Sequence, residues 1–426
     1  MKTLMFGWEF PPHITGGLGT ASFGLTQGLF ENDVDIIFVV PRAYGDEDQS
    51  AIKLVSASDI RLPFEDVRFQ EMLEKIEYIE IGSNIIPYVN PELFVKEEKR
   101  TTTTYNESSN VFSEYYNFSG KYGINLLEEV SRYALIASIL GKEKEFDLIH
   151  AHDWLCYPAG VAAKISSGKP LVVHMHATEF DRSGENINTD VFGIEKYGME
   201  NADMVITVSN LTRNIVIEKY GIDPKKVVTV HNAVDFPIQE LESMPKKPFN
   251  EKLVTFLGRI TFQKGPEYFV EVAKKLLEKD DNIRFVMAGS GDLMHKIIKY
   301  AASLHITDKF HFTGFLKGPE INRLFAMSDV FVMPSVSEPF GIVPLEAMQS
   351  SVPVVISKQS GVAEVLEHAV KVDFWDVDGM ADAIYGLCHY DSLSKVFKAY
   401  GKEEVGNLKW KRAAKKVKKI YEQVIQ

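Results

Sequence analysis

The chain has 426 residues, 45% hydrophobic and 25% charged, a balance that excludes a disordered protein and provides for more than one buried core. Its 47 Lys and Arg against 59 Asp and Glu give a net charge of −12, which argues against a general nucleic-acid binder. Two cysteines, Cys156 and Cys388, support neither a disulfide framework nor a paired-cysteine metal site.

In chain order, short apolar runs occupy residues 3–6, 34–40, 148–152, 171–176, 204–208 and 227–231 of the first half. The second half repeats the pattern at 253–257, 283–288, 310–315, 330–333, 354–356 and 369–372. Each run is rich in Val, Ile and Phe and continuous rather than alternating, as expected of strands covered on both faces. Helical stretches between them imply right-handed βαβ crossovers and parallel sheets. The stretch 42–100 is acidic and broken by Pro63, Pro87 and Pro91; residues 101–104, four threonines, read as a loop. Pro237, Pro245 and Pro248 with several charges mark 236–250 as an exposed linker. The expected fold is α/β, with two doubly wound Rossmann-like domains facing across a cleft. Residues 1–240 form the first domain, completed by a helix at 406–426, and 250–405 form the second.

That last helix carries Trp410, Ala413, Ala414, Val417, Tyr421 and Val424 at helical spacing among seven Lys and Arg from Lys409 to Lys419. Docking on the chain's own core is expected; lying on an anionic membrane is the alternative. No apolar run reaches the roughly 18 residues of a membrane span, and the N-terminus lacks a signal peptide's apolar region. A cytoplasmic protein is expected, with its oligomeric state open.

Five motifs carry candidate chemistry. Gly16-Gly17-Leu18-Gly19 precedes a helix start, where glycines let a ligand approach and free N–H groups favour an anion; a tight turn is the plain alternative. His150 and His152 form one HxH pair, His174 and His176 another. Alternation along a strand puts each pair on one face, so a zinc ion and a metal-dependent hydrolase enter as alternatives. His176, latest on its strand, is the better candidate for bonding a polar ligand. Arg259 and Lys264 follow the 253–257 run and can grip a diphosphate from two sides. Glu338 and Glu346 stand eight apart around Phe340-Gly341-Ile342, with Pro344 suited to a helix's first turn. A carboxylate there can hold a vicinal diol, and the helix start faces an anion. Asp46/Asp48 and Asp376/Asp378 match the DxD pattern, but read as an acidic loop and helix caps.

Together these segments resemble the large GT-B glycosyltransferase family that includes glycogen and starch synthases. The resemblance is carried by Gly16–Gly19, HAHDW from His150, HATEF from His176, VTVHNAVD from Val228, FLGRITFQKG from Phe256, FTGF from Phe312, PSVSEPFGIVPLEAM from Pro334 and SGVAEVL from Ser360. It implies a retaining transfer of a sugar, with glucose favoured, from a nucleoside diphosphate donor to a carbohydrate, an α-glucan being one acceptor. By similarity, Arg259 and Lys264 would neutralise the leaving diphosphate, and Glu346 would bind the donor ribose. Glu338 would contact the transferred sugar, with the Phe340-Gly341-Ile342 backbone nearby. His176 would face that sugar from the first domain, and Gly16 and Gly17 would approach the phosphates; Asp153 matches less securely. No metal and no cofactor is implied, since the nucleotide sugar is a co-substrate. A nucleotide-sugar 2-epimerase of the same layout is the runner-up. The family's Lys before the paired glycines is replaced by Ile14-Thr15, its later Gly by Ser351, and its Gly-Gly-x-Pro-Glu by Ser360-Gly-Val-Ala-Glu364.

Overall fold

The computed structural model describes residues 1–13, 16–61, 115–116, 118–120, 125–234 and 247–426. Ile14, Thr15, the 101–104 run, and Pro237 and Pro245 of the expected linker lie outside the described residues.

The first lobe is built from β1 (Lys2–Phe6), α1 (Gly17–Phe30), β2 (Asp35–Val40), β3 (Lys53–Ser56), α2 (Leu126–Glu143), β4 (Leu148–His152) and α3 (Tyr157–Ser167). It continues with β5 (Leu171–Met175), α4 (Glu179–Ser183), α5 (Thr189–Asn201), β6 (Met204–Thr207), α6 (Asn210–Tyr220) and β7 (Val227–Thr229). The strands pair in parallel in the order β3-β2-β1-β4-β5-β6-β7. Every residue of β4 and β5 is buried, which accounts for their continuous apolar runs. Leu4 and Phe6 face one layer, with Tyr133 of α2 and Ala159 of α3. Met5 and Phe38 face the other, with Leu25 of α1. The strand β3 was not expected from sequence. It is four residues long, sits at the sheet edge and is only partly buried, so it leaves no apolar signature.

The second lobe comprises β8 (Lys252–Leu257), α7 (Pro266–Leu277), β9 (Ile283–Ala288), α8 (Met294–Ser303), β10 (Phe310–Gly314), α9 (Pro319–Met327) and β11 (Val330–Met333). Then come α10 (Val343–Gln349), β12 (Val354–Ser357), β13 (Val370–Val372), α11 (Val377–His389) and α12 (Asp391–Gly406). Its parallel sheet runs β10-β9-β8-β11-β12-β13. Phe256, Phe285 and Val332 pack on α7, α8 and α11, while Phe331, Met333 and Ile356 pack on α10 and α12. Strand order reverses between β1 and β4 in one sheet and between β8 and β11 in the other. Ligands of open α/β sheets bind beyond the carboxyl ends at such points.

The final helix α13 (Trp410–Ile425) returns to the first lobe and buries Trp410, Ala414, Val417 and Tyr421 against α1 and the sheet. A Cβ on Gly24 of α1 would overlap the Trp410 indole, and one on Gly28 would come within 2.6 Å of the Trp410 carbonyl oxygen. These two glycines, one turn apart, let the helices approach closely. Each large apolar side chain so buried stabilises by about 1.5–3 kcal/mol. The apolar stripe is therefore occupied by the protein's own core rather than open to a lipid surface. Among the described residues, no helix is long and apolar enough to cross a membrane.

Candidate active site at the reversal points of the two sheets

Past the end of β8, the chain keeps following β9: the Gly258 N–H donates to the Ala288 carbonyl at 3.0 Å, and the Ile260 N–H to that of Ser290 at 2.9 Å. A single 3₁₀ turn, Phe262–Lys264, then leads into α7. Gly265 joins them at φ 64°, and a Cβ there would overlap the Pro334 carbonyl, so both its angle and its neighbour require glycine. The Val336 N–H donates to the Gln263 carbonyl at 3.0 Å, binding the loop after β11 to the loop after β8.

This stitching brings Lys264 and Glu338 together. The Lys264 ammonium donates to Glu338 Oε2, and Ser335 Oγ donates to the same oxygen at 3.4 Å. The Glu338 side chain is 8% exposed and that of Lys264 19% exposed. Further along the loop, Phe340 is buried, and Gly341 turns the chain at φ 98°. Ile342, at the N-cap of α10, packs on the cores of both lobes. Glu346 lies in the first turn of α10, and its carboxyl meets no hydrogen-bond donor among the described residues. Burial pushes that carboxyl up to about 7.

From the first lobe, His176 follows the last residue of β5, one position beyond the strand. Register pairs His152 with His174, so His150, His152, His174 and His176 share one sheet face. His150 stacks on His152 at 4.3 Å and His174 on His176 at 4.4 Å. His152 Nδ1 and His176 Nε2 are hydrogen-bonded at 3.0 Å, and Tyr421 of α13 bonds His150 Nδ1. Burial lowers all four imidazoles, His176 to about 3, so they are neutral across the physiological range. Nitrogens of His150, His152 and His174 lie within 4.8 Å of one another. Nitrogens bound about 2.0–2.1 Å from a tetrahedral zinc sit roughly 3.4 Å apart, inside that limit.

Gly16 and Gly17 form the exposed start of α1. Neither has a left-handed φ, and a Cβ on either would touch nothing, so the protein itself does not require glycine there. Among the described residues, no hydrogen bond links them to the second lobe. Asp46 pairs with His13 at 2.6 Å, and Asp376 caps the Gly379 N–H at 2.9 Å, the capping role expected of it.

Three features were underweighted or missed in the sequence. Asp153 is buried at φ 62°, ψ 167°, a region otherwise kept for glycine, and its carboxylate accepts from the Trp154 N–H at 2.8 Å. Burial raises its pKa, while the Arg182 and Arg259 guanidiniums pull it back. Arg259 thus acts electrostatically on the first lobe from the end of β8. Second, Ser337 Oγ donates to Asp181 Oδ1 at 2.6 Å, joining the Glu338 loop to α4. Third, both carboxylate oxygens of Glu364 accept from the first amides of α6, Asn210 at 2.9 Å and Leu211 at 2.8 Å; His231 bonds the same group at 2.7 Å. The segments were visible as motifs, but pairing across the lobes leaves no local signal.

Profiles of known families match both halves: Glycosyltransferase Family 4 over residues 108–236 and Glycosyl transferases group 1 over 238–404. An uncharacterized glycosyltransferase of Methanocaldococcus jannaschii is 30% identical over 386 residues, covering 87% of this chain and 84% of that protein. The chain belongs to the GT-B glycosyltransferases of the family 4/5 type. Another relative of this glycosyltransferase is the glycogen synthase of Mycobacterium tuberculosis, 24% identical over 90% of this chain and 85% of its own. Among solved structures, sucrose-phosphate synthase from Thermosynechococcus elongatus superposes with TM-score 0.71 at 16% identity, covering 99% of this chain and 98% of that one. Anabaena HepE, solved with UDP and glucose, gives 0.66 at 14% identity, covering 99% and 100%. At these identities the structural likenesses speak to the fold alone. The matching profiles and these relatives leave the epimerase and metal-dependent hydrolase readings without support.

Proposed function

We propose that this glycosyltransferase is a retaining, metal-independent hexosyltransferase that takes a sugar from a nucleoside diphosphate donor, with glucose favoured. The observation that carries the reading is the Lys264–Glu338 pair at the β8/β11 reversal point. Lys264 and Arg259 take the diphosphate, Glu338 takes sugar hydroxyls, and Glu346 takes the ribose diol. The Phe340-Gly341-Ile342 backbone lines the donor; His176, Gly16 and Gly17 approach it from the first lobe. The anomeric C–O bond breaks with its electron pair leaving on the diphosphate. The acceptor hydroxyl oxygen bonds the same face of the anomeric carbon and passes its proton to the departing diphosphate oxygen. Fixed cations and the start of α10 stabilise the departing charge. The lobe contacts through Ser337 and Glu364 favour a closed cleft, which excludes water and suppresses donor hydrolysis. A glycogen synthase relative supports glucose as the sugar and an α-glucan as acceptor.

The test is a panel of ADP-, UDP- and GDP-sugars, scored by nucleoside diphosphate release with and without glucan, in the presence of EDTA. One donor is expected to turn over, faster with acceptor. Loss of all activity in EDTA contradicts metal independence, and release from no donor contradicts the function.

A further inference from the structure

The histidine stack behind the site fixes more than the place of His176. The bond between His152 Nδ1 and His176 Nε2 joins two imidazoles, both neutral, so one nitrogen donates and the other accepts. The two assignments differ in what they leave behind. With the proton on His176 Nε2, His152 must carry its own on Nε2, which is buried and has no partner. With the proton on His152 Nδ1, His152 Nε2 is a bare lone pair instead. Among backbone groups, orphaned buried N–H groups are rarer than under-satisfied acceptors, and the same preference is applied to these ring nitrogens. Next in the stack, His174 is buried with neither ring nitrogen bonded, and one nitrogen from each of His150, His152 and His174 lies within 4.8 Å of the others.

We propose that His152 is a positioning residue that donates from Nδ1 to His176 Nε2 and so locks His176 as its Nδ1–H tautomer, presenting a fixed N–H donor to the cleft. The stack holds His152 in turn, with His150 against its face and Tyr421 of α13 bonded behind His150. His176 is only half-buried and, unlike His150, His152 and His174, has no buried nitrogen left without a partner; its Nδ1 is the atom open to a ligand. That atom hydrogen-bonds an oxygen lone pair, a sugar hydroxyl or a phosphate oxygen, and cannot remove a proton. This rests on the reading of His176 as a donor-site residue.

The experiment uses full-length protein labelled with ¹⁵N-histidine, without ligand, and two-bond ¹⁵N–¹H correlation spectra. The signal of His176 is assigned by its loss in His176→Gln. A protonated Nδ1 and bare Nε2 are expected for His176 in the wild type. His152→Phe keeps a ring in the stack but no donor, and should lose that tautomer and lower kcat about tenfold or more with KM little changed, the effect of misaligning one hydrogen bond. His152→Asn places an amide N–H where Nδ1–H stood, and should keep the tautomer and most of the turnover. A wild-type spectrum with Nε2–H on His176 overturns the proposal, leaves the donor site standing, and needs no variant to fold. Equal kcat in His152→Phe and wild type overturns the positioning role. Full turnover in His176→Gln overturns the site reading instead, and with it the role of His152.

Discussion

Replacing Lys264 by alanine tests structure and chemistry together. The Glu338 carboxylate loses its ammonium partner and keeps only the 3.4 Å contact from Ser335. Breaking a fully buried ion pair from one side costs about 3–5 kcal/mol, because the other charge is left uncompensated. Here 19% of the Lys264 side chain already meets water, so the expected loss is nearer 1–3 kcal/mol. Turnover should fall further, by about 10²–10³, the effect of removing one preorganised group from a developing charge. The double variant Lys264→Met with Glu338→Gln removes both charges at similar volume and should recover most of the stability. It should recover none of the turnover. Thermal melts read the first quantity and nucleoside diphosphate release the second. Turnover that returns with stability in the double variant refutes the reasoning, since the pair would then be structural only.

Other outcomes follow from the same geometry. Gly24→Ala places a Cβ into the Trp410 indole and should destabilise by about 1–3 kcal/mol despite alanine's better helix propensity, read by thermal or urea unfolding. Glu346 has its pKa raised by burial from 4.5 to about 7, so the folded state binds its proton more tightly than the unfolded chain. Its contribution to stability should therefore fall as pH rises from about 4.5 to 7 and stay low above that. Glu346→Gln should flatten that part of the melting-temperature profile and abolish donor turnover; an unchanged profile contradicts the buried carboxyl. Glu364→Ala strips two α6 amides and His231 of their acceptor and should cost about 1–2 kcal/mol in a melt.

Strands were legible because both faces of each sheet are covered. Val, Ile and Phe therefore run without interruption through residues 36–40 of β2 and 330–332 of β11. The edge strand β3, half in water, left no such run. The amphipathic spacing of α13 was legible too, but its socket was not: Gly24 and Gly28 read only as small residues in a helix until Trp410 is seen against them. Within the candidate site, Arg259, Lys264, Glu338 and Glu346 were singled out through strand ends and motif resemblance. The Lys264–Glu338 contact spans 74 positions of sequence and depends on β8 lying beside β11. Asp153 was underweighted because its left-handed backbone belongs to the register of β4 on β5, where its N–H meets the His174 carbonyl at 2.9 Å. The HxH pairs were read as sharing a face, with a metal only as an alternative; that their rings stack is something periodicity alone does not show.

The most direct measurement is calorimetric titration of UDP, ADP and GDP into the wild-type protein and the Arg259→Ala, Lys264→Ala variant, all with EDTA present. The account predicts that one diphosphate binds the wild type and that the doubly substituted protein, still folded by its melt, loses that binding. Equal affinity in both proteins would contradict a diphosphate held by these two cations.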